Sequence, residues 1–519
     1  MIDTAALREK VLDLAIRGKL VPQDPNDEPA SVLLERIHEQ KLQMVREGKL
    51  KAKDVKDDTI IFKGDDNCYY EKYSDGSVKN IQDEIPFEIP QTWQWVRLGT
   101  IFSHNTGKAL KTSNTDGKKL SYITTSNLYW DSFVLDSLKE MYFNESEIDK
   151  YSAHKGDLLV CEGGDIGRAA IWSFDYDIRI QNHIHKLRAY YPIETRLYYY
   201  AFYYYKSIGK INGNGIGIQG LSSNVLHNLI VPLPPVKEQS RIVTSVNNCF
   251  STADQIDTDE KILQSDIEEI KSKILELAIQ GKLVPQDEND EPASVLLERI
   301  RTERKEKLGK KYVESYIFKG DDNCYYEKVG STVKNITDQI PFSIPQNWSF
   351  VRLKELAKVV SGVSYDKRDI CNDGIRIIRG GNISNLSIVL LPDDVFLPQK
   401  YYDNEKEVKT EDIVIVASTG SKIAIGRPAF ADKSFPQTQI GAFLRIVRPY
   451  VPNVYQYLKC LFASNYYREH ISDLVHGNTI NNIKTEYLDE FIIPFPPIRE
   501  QKEIANKVKI LMNILKGGD

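Results

Sequence analysis

The sequence predicts an α+β protein: two α/β domains separated by long antiparallel coiled-coil helices, related by a pseudo-twofold axis as a circularly permuted tandem repeat. Three observations carry this. The chain repeats itself: LAIRGKLVPQDPNDEPASVLLERI at residues 14–37 returns as LAIQGKLVPQDENDEPASVLLERI at 277–300, FKGDDNCYYEK at 62–72 returns at 318–328, and IPFEIPQTWQWVRL at 85–98 returns as IPFSIPQNWSFVRL at 340–353. A heptad-spaced apolar series runs through a stretch free of Pro and Gly from Val236 to Gln280. Between the repeated words lie two inserts of widely different sequence, rich in short β-branched and aromatic runs.

Five segments follow in order. Residues 1–91 begin with a helix that completes the distal coiled coil and end in a hairpin built on FKGDDNCYYEK. The polar loop at 18–30 starts at Gly18, where a helix stops, and Ser31 starts the next helix; Gly281 and Ser294 do the same in the second copy. Its carboxylates imitate a calcium loop, but the position needing glycine is Pro29 or Pro292, which argues against a metal. Residues 92–235 form the first insert domain, with strands at 119–127 and 157–160.

Residues 236–346 hold the long helix and the second set of repeated words. Ile242, Val246, Cys249, Ala253, Ile256, Leu263, Ile267, Ile270, Ile274 and Leu277 alternate at spacings of four and three, broken only at Glu260. At about 1.5 Å per residue this seam needs a partner helix of similar length. Residues 347–497 form the second insert domain, with strands at 375–379 and 412–417, and residues 498–519 the final helix. That helix carries Ile504, Val508, Leu511 and Leu515 in the register of Ile242 to Ala253, while Leu7, Val11 and Leu14 match Ile270, Ile274 and Leu277. The second copy of the long helix is therefore expected in two pieces, antiparallel to the first, with the chain ends close together.

Composition narrows the function. Hydrophobic residues at 41% and charged residues at 27% fit a globular protein without a membrane span, and MIDTAALREK does not read as a signal peptide, so a cytosolic protein is expected. Six single cysteines form no CxxC pair, and no zinc-binding, nucleotide-binding or hydrolase motif is present, so no catalytic or metal residue is assigned. GNGIGIQG at 213–220 lacks the lysine and the flanking strand of a phosphate loop. The net charge of −5 lies in the repeated segments, since residues 92–235 hold 15 basic against 13 acidic residues and residues 347–497 hold 18 against 17.

Chemistry concentrates in the polar loops of the inserts, at 104–119, 162–168 and 212–224, then 361–368, 379–382, 418–427 and 476–484. Such loops offer side chains that read base edges and amides that meet phosphates. The DNA-contact candidates are Lys108, Lys111, Thr125, Arg168, Gln219 and Ser222 in the first insert. In the second they are Tyr365, Lys367, Arg368, Arg379, Ser421, Lys422, Arg427, Asn478, Thr479 and Asn481.

The duplicated LDLAIRGKLVPQ and ELAIQGKLVPQ, the domain openings IPQTWQWVRLG and IPQNWSFVRLK, the IGR turns at 166–168 and 425–427, and the closing PLPPVKEQ and PFPPIREQ together resemble the specificity subunit of type I restriction-modification systems. The resemblance covers nearly the whole chain. It implies that each insert is a target recognition domain reading one half of a bipartite, asymmetric DNA site. It further implies double-stranded DNA, two methyltransferase (modification) subunits and ATP-dependent restriction subunits as partners. No cofactor is expected in this chain; S-adenosylmethionine, ATP and Mg2+ would belong to the partners. The competing readings are a stand-alone DNA methyltransferase or nuclease with duplicated targeting domains, and a coiled-coil scaffold that binds no nucleic acid.

Overall fold

The computed structural model describes residues 2–110, 116–211, 221–421, 424–476 and 482–517. It divides into two units, Met1–Lys261 and Ile262–Asp519, each mixing helices and sheets around its own core. No helix among the described residues is long and apolar enough to cross a membrane.

In the first unit, helix Thr4–Ile16 ends at Gly18, whose φ of +67° only glycine takes without strain. The Lys19 amide closes the helix onto the Leu14 carbonyl at 2.7 Å. A Cβ at Gly18 would sit 2.5 Å from Pro90 Cγ, so the repeated "GKL" word packs the helix end directly onto the opening of the insert domain. Gly281 repeats this in the second unit, with φ +69° and a Cβ position 2.5 Å from Pro345 Cγ.

The loop that follows carries the calcium-like carboxylates and is held by ion pairs: Glu28 takes Arg36 at 2.7 Å, Asp287 takes Arg499 at 3.2 Å, and the neighbouring Asp27 takes Arg241 at 2.5 Å. Among the described residues no group of His, Cys, Asp and Glu is arranged to hold a metal. The next helices, Ala30–Arg46 and Ala293–Leu308, start one residue earlier than the serines, after Pro29 and Pro292 as caps with no side-chain cap bond. The rigid proline sets the approach that Ser31 and Ser294 were expected to set, and the Ala30 and Ala293 amides are satisfied instead by the carbonyls of Thr92 and Asn347.

The segment expected as a hairpin is a three-stranded antiparallel sheet: Ile60–Lys63, Tyr69–Lys72 and Val78–Asn80, repeated as Ser315–Lys319, Tyr325–Val329 and Thr332–Asn335. The third strand follows from the VKN words, too short to announce themselves by alternation. Each sheet is bolted to its domain by one buried ion pair, Glu71 with Arg97 at 2.6 Å and Glu327 with Arg352 at 2.8 Å.

Each insert domain opens and closes with paired antiparallel strands, Gln94–Arg97 with Ile230–Leu233 and Ser349–Arg352 with Ile492–Phe495. The proline-rich words then stop the strand and launch the helices Val236–Ile279 and Ile498–Ile514. At each launch a buried glutamate joins the two ends of the frame. Glu238 accepts from Trp93 Nε1 (3.0 Å) and Gln23 Nε2 (2.5 Å), and Glu500 from Trp348 Nε1 (2.8 Å) and Gln286 Nε2 (2.6 Å). Burial pushes both carboxyls above their ordinary range.

The long helix is continuous over 44 residues. In the first unit Ile242 and Val246 of its early half share a core with Val11 of helix Thr4–Ile16, with Cys249 partly buried against it; Leu14 is half-buried. The direction is antiparallel: the Ile2 amide bonds Glu260, Thr4 bonds Asp257 at 2.6 Å, and Arg8 bonds Asp254 at 2.6 Å. In the second unit its late half shares a core with the last helix, Ile274 with Ile504 and Val508, with Leu511 and Leu515 partly buried against it; Leu277 is half-buried. The middle of the predicted seam differs. Leu263 is 56% exposed, Ile270 47% and Leu7 39%, and Ile267 is only half-buried. Around residues 254–260 the polar ladder of Thr4 and Arg8 with the two aspartates takes the place of apolar knobs, so the heptad spacing, itself broken at Glu260, runs over a discontinuous core.

Candidate nucleic-acid interface

Each insert domain has two larger sheets beside its two-stranded pairs. In the first, Ala169–Ile171, Leu158–Cys161, Ile184–Ala189 and Phe102–Thr106 form an antiparallel sheet, and Ile178–Ile180 runs parallel to Lys118–Ile123 in the other. In the second domain the corresponding strands are Pro428–Phe430, Ile413–Val416, Leu444–Pro449 and Ala357–Ser361, with Thr438–Ile440 parallel to Ile375–Ile378. Parallel strands place both their carboxyl ends on one side. Loops from both sheets therefore meet there.

Backbone hydrogen bonds fix the meeting. In the first domain the Lys108 amide reaches the Ile180 carbonyl (2.9 Å), Asn182 reaches Lys108 (3.1 Å), Glu162 reaches His183 (3.0 Å) and Leu221 reaches Glu162 (2.8 Å). In the second, Val363 reaches Ile440 (2.9 Å), Gly441 reaches Ile378 (2.9 Å), Ala417 reaches Phe443 (2.8 Å) and Ile483 reaches Ala417 (2.7 Å). The approach requires Gly107 and Gly362, where a Cβ would lie within 2.2 Å of the Gln181 carbonyl and 2.0 Å of the Gly441 carbonyl. The same loop cluster is thus built twice from different residues.

Arg168 and Arg427, in the two IGR turns, do the same work. Arg168 donates to the Thr125 carbonyl at 2.6 Å and lies 5.1 Å over the Tyr129 ring; Arg427 donates to the Gly380 carbonyl at 3.0 Å. Each clamps its own loop to the turn that follows the parallel strand, and the Arg168 side chain is only 17% exposed. The sequence suggested a contact with DNA bases or phosphates; each guanidinium is engaged with a carbonyl of its own domain. Lys108 is also turned inward, buried with its ammonium on the Tyr142 carbonyl (2.8 Å) and Glu147 (2.6 Å).

Thr125 is half-buried in the braced turn, and Ser222 is exposed, capping the short helix Ser223–His227. In the second domain Lys367 and Arg368 are exposed, Arg368 held by Asp366 at 2.7 Å, and Tyr365 is half-buried. Arg379 donates to the Asp393 carbonyl at 3.1 Å, and Ser421 is exposed beside Thr419. Lys111, Gln219, Lys422, Asn478, Thr479 and Asn481 lie outside the described residues.

Two residues in the centre of the clusters were missed by the sequence reading: His183 and Phe443, on the turns between strands 178–180 and 184–189 and between strands 438–440 and 444–449, both exposed. Beneath them the supports differ. His185, buried, donates Nε2–H to the Leu221 carbonyl at 2.6 Å and so accepts from His104 Nε2 at 2.8 Å; burial holds both imidazoles below their ordinary range, His104 at about 4. Both stay neutral near pH 7. In the second domain the buried Arg445 takes that place, donating to the carbonyls of Ala442 (2.9 Å) and Leu444 (2.8 Å).

Removing the brace tests this geometry. Arg168→Ala and Arg427→Ala are expected to weaken DNA binding by the assembled complex by about 1–3 kcal/mol each where the guanidinium contacts DNA, and by less where it only holds the turn. Where the arginine only holds the turn, the slope of affinity against salt should not change. Gel shifts across a salt series check it; a slope smaller by about one would make the arginine a phosphate contact instead.

Fold and loops together define a class, a tandem recognition protein in which one scaffold presents two chemically different loop clusters. The sequence family described as type I restriction modification DNA specificity domain matches residues 90–264 and again 345–518, and the chain belongs to that family, with two copies of its domain. It is similar to the type I restriction enzyme EcoAI specificity subunit of Escherichia coli, 26% identical over 98% of this chain and 88% of that protein. It is also similar to the MjaVIII specificity subunit of Methanocaldococcus jannaschii, 23% identical over 84% and 90%. A chain from a solved structure on complex assembly and conformational transition of the type I R-M system shares the fold, with TM-score 0.52 at 16% identity over 83% of this chain and 93% of that one.

Proposed function

We propose that this chain is the sequence-reading subunit of a type I restriction-modification complex. Residues 92–235 and 347–497 each read one half of a bipartite, asymmetric duplex site. Segments 1–91, 236–346 and 498–519 set the separation of the halves and dock two methyltransferase subunits and, in the full complex, ATP-dependent restriction subunits. S-adenosylmethionine, ATP and Mg2+ belong to those partners in this reading. The observation that carries it is the doubled loop cluster: the same backbone bonds join Glu162 to His183 and Leu221 in one copy and Ala417 to Phe443 and Ile483 in the other, while the side chains presented there differ. One scaffold with two sets of side chains is what reading two different half-sites requires.

Exchanging residues 347–497 for the matching segment of a relative tests the proposal. Methylated sites mapped by single-molecule sequencing should change in one half of the motif and keep the other. A motif altered in both halves, or in neither, would sink the division of labour.

A further inference from the structure

Phe443 has the highest exposure, 66%, of any large apolar side chain among the described residues, yet it does not sit on a loose loop. Its carbonyl accepts from the amides of Ala417 (2.8 Å) and Ser418 (3.1 Å), the Leu444 amide closes the turn on Gly441 (2.9 Å), and Arg445 holds the neighbouring carbonyls from below. Single exposed apolar residues are common and need no explanation by themselves. This one combines a rigid backbone with a central place in the loop cluster, and the matching turn of the first domain carries a polar ring, His183, beside Glu162 at 3.3 Å. The scaffold keeps the turn and changes the chemistry at its tip.

We propose, resting on the functional reading above, that the turn 441–443 is a base-reading tip and that Phe443 recognises a thymine through its 5-methyl group in the major groove. An aromatic edge with no donor or acceptor discriminates by apolar contact, and thymine alone among the bases offers a methyl group there. Phe443 is then a specificity-determining residue of the second half-site only, and His183, with ring nitrogens, reads a different base in the first.

The test uses the complete complex on a fragment bearing its mapped site, with deoxyuridine replacing each thymidine of the second half-site in turn. The native complex should lose about fourfold in affinity at one position, the loss of one buried methyl. Phe443→Ala should bind the two fragments equally at that position and keep every preference in the first half-site. Native binding indifferent to all such replacements, a second half-site without thymine, or equal sensitivity in Phe443→Ala overturns the proposal. Phe443→Ala weakened on every fragment alike, without any deoxyuridine effect, would make the ring a wedge between bases and overturns it too. Absence of any sequence-selective binding by the native complex would be distinct, removing the functional reading on which the proposal rests.

Discussion

Replacing Arg97 by alanine is expected to destabilise the first unit by about 3–5 kcal/mol, the cost of leaving a buried charge without its partner. Arg97 is 12% exposed and Glu71 2%, and the pair is bidentate, Nε to Oε1 at 2.9 Å and NH2 to Oε2 at 2.6 Å. The same guanidinium holds Glu84 at 2.9 Å and donates to the Asn228 carbonyl at 2.7 Å. One side chain thereby joins the three-stranded sheet, the opening strand and the turn that leads into the closing strand. Desolvation alone would raise the Glu71 carboxyl, but bonds from Arg97 and Thr59 outweigh it and leave it below its ordinary value. A carboxyl depressed in the folded state contributes stability that is present above its unfolded pKa and lost as pH falls through its folded one.

The native unit should therefore weaken on acidification below the carboxylate range. In Arg97→Ala the bonds from Thr59 and Tyr73 remain but the guanidinium is gone, so Glu71 moves up from its native value and the loss of stability on acidification shrinks. Amide hydrogen exchange across strands 60–63, 69–72 and 78–80 reads both effects. Exchange there as slow as in the native protein at neutral pH would show that the pair is not what holds the sheet. Arg352→Ala should act alike in the second unit, where Arg352 grips Glu327 and the Glu490 carbonyl at 2.6 Å.

The duplication was legible because repeated words need only be compared with each other, and it correctly placed Gly18 with Gly281 and the prolines before each helix. Where a pattern had to be converted into burial, the conversion was local and the outcome was not. Leu263 and Ile270 keep the four-three spacing yet are exposed, and no residue spacing says that, in the stretch before them, Thr4 and Arg8 meet Asp254 and Asp257. Lys108 was legible as a cation on a loop; that Gly107 lets its backbone press against strand 178–180, sending the ammonium inward to Glu147, depends on a contact 73 residues away. Phe443 was hidden for the opposite reason. In IGAFLRIV an aromatic among apolar residues reads as core, and only the turn at Gly441 and Leu444 points it outward.

Deleting residues 262–268 from the long helix is expected to shorten the spacer between half-sites and leave both half-site sequences as they were. Seven residues remove about 10.5 Å of helix, close to three base-pair steps at about 3.4 Å each. Two helical turns lie within about 20° of seven residues, so faces on either side of the cut keep their orientation. The deleted stretch is also the one the cores use least: Ile262 and Leu263 are exposed, while the buried Ile242, Val246, Ala253, Ile274 and Ala278 all lie outside it. Stability should change little, which separates this deletion from one that unfolds the protein. Removing five residues instead turns the two parts of the helix by about 140° relative to each other and should abolish specific binding without abolishing folding. Mapping methylated sites in cells carrying each variant reads the spacer directly. An unaltered spacer in the seven-residue deletion would mean that the distance is set by the partner subunits, and the long helix would then be a tether between two domains instead of the ruler between two half-sites.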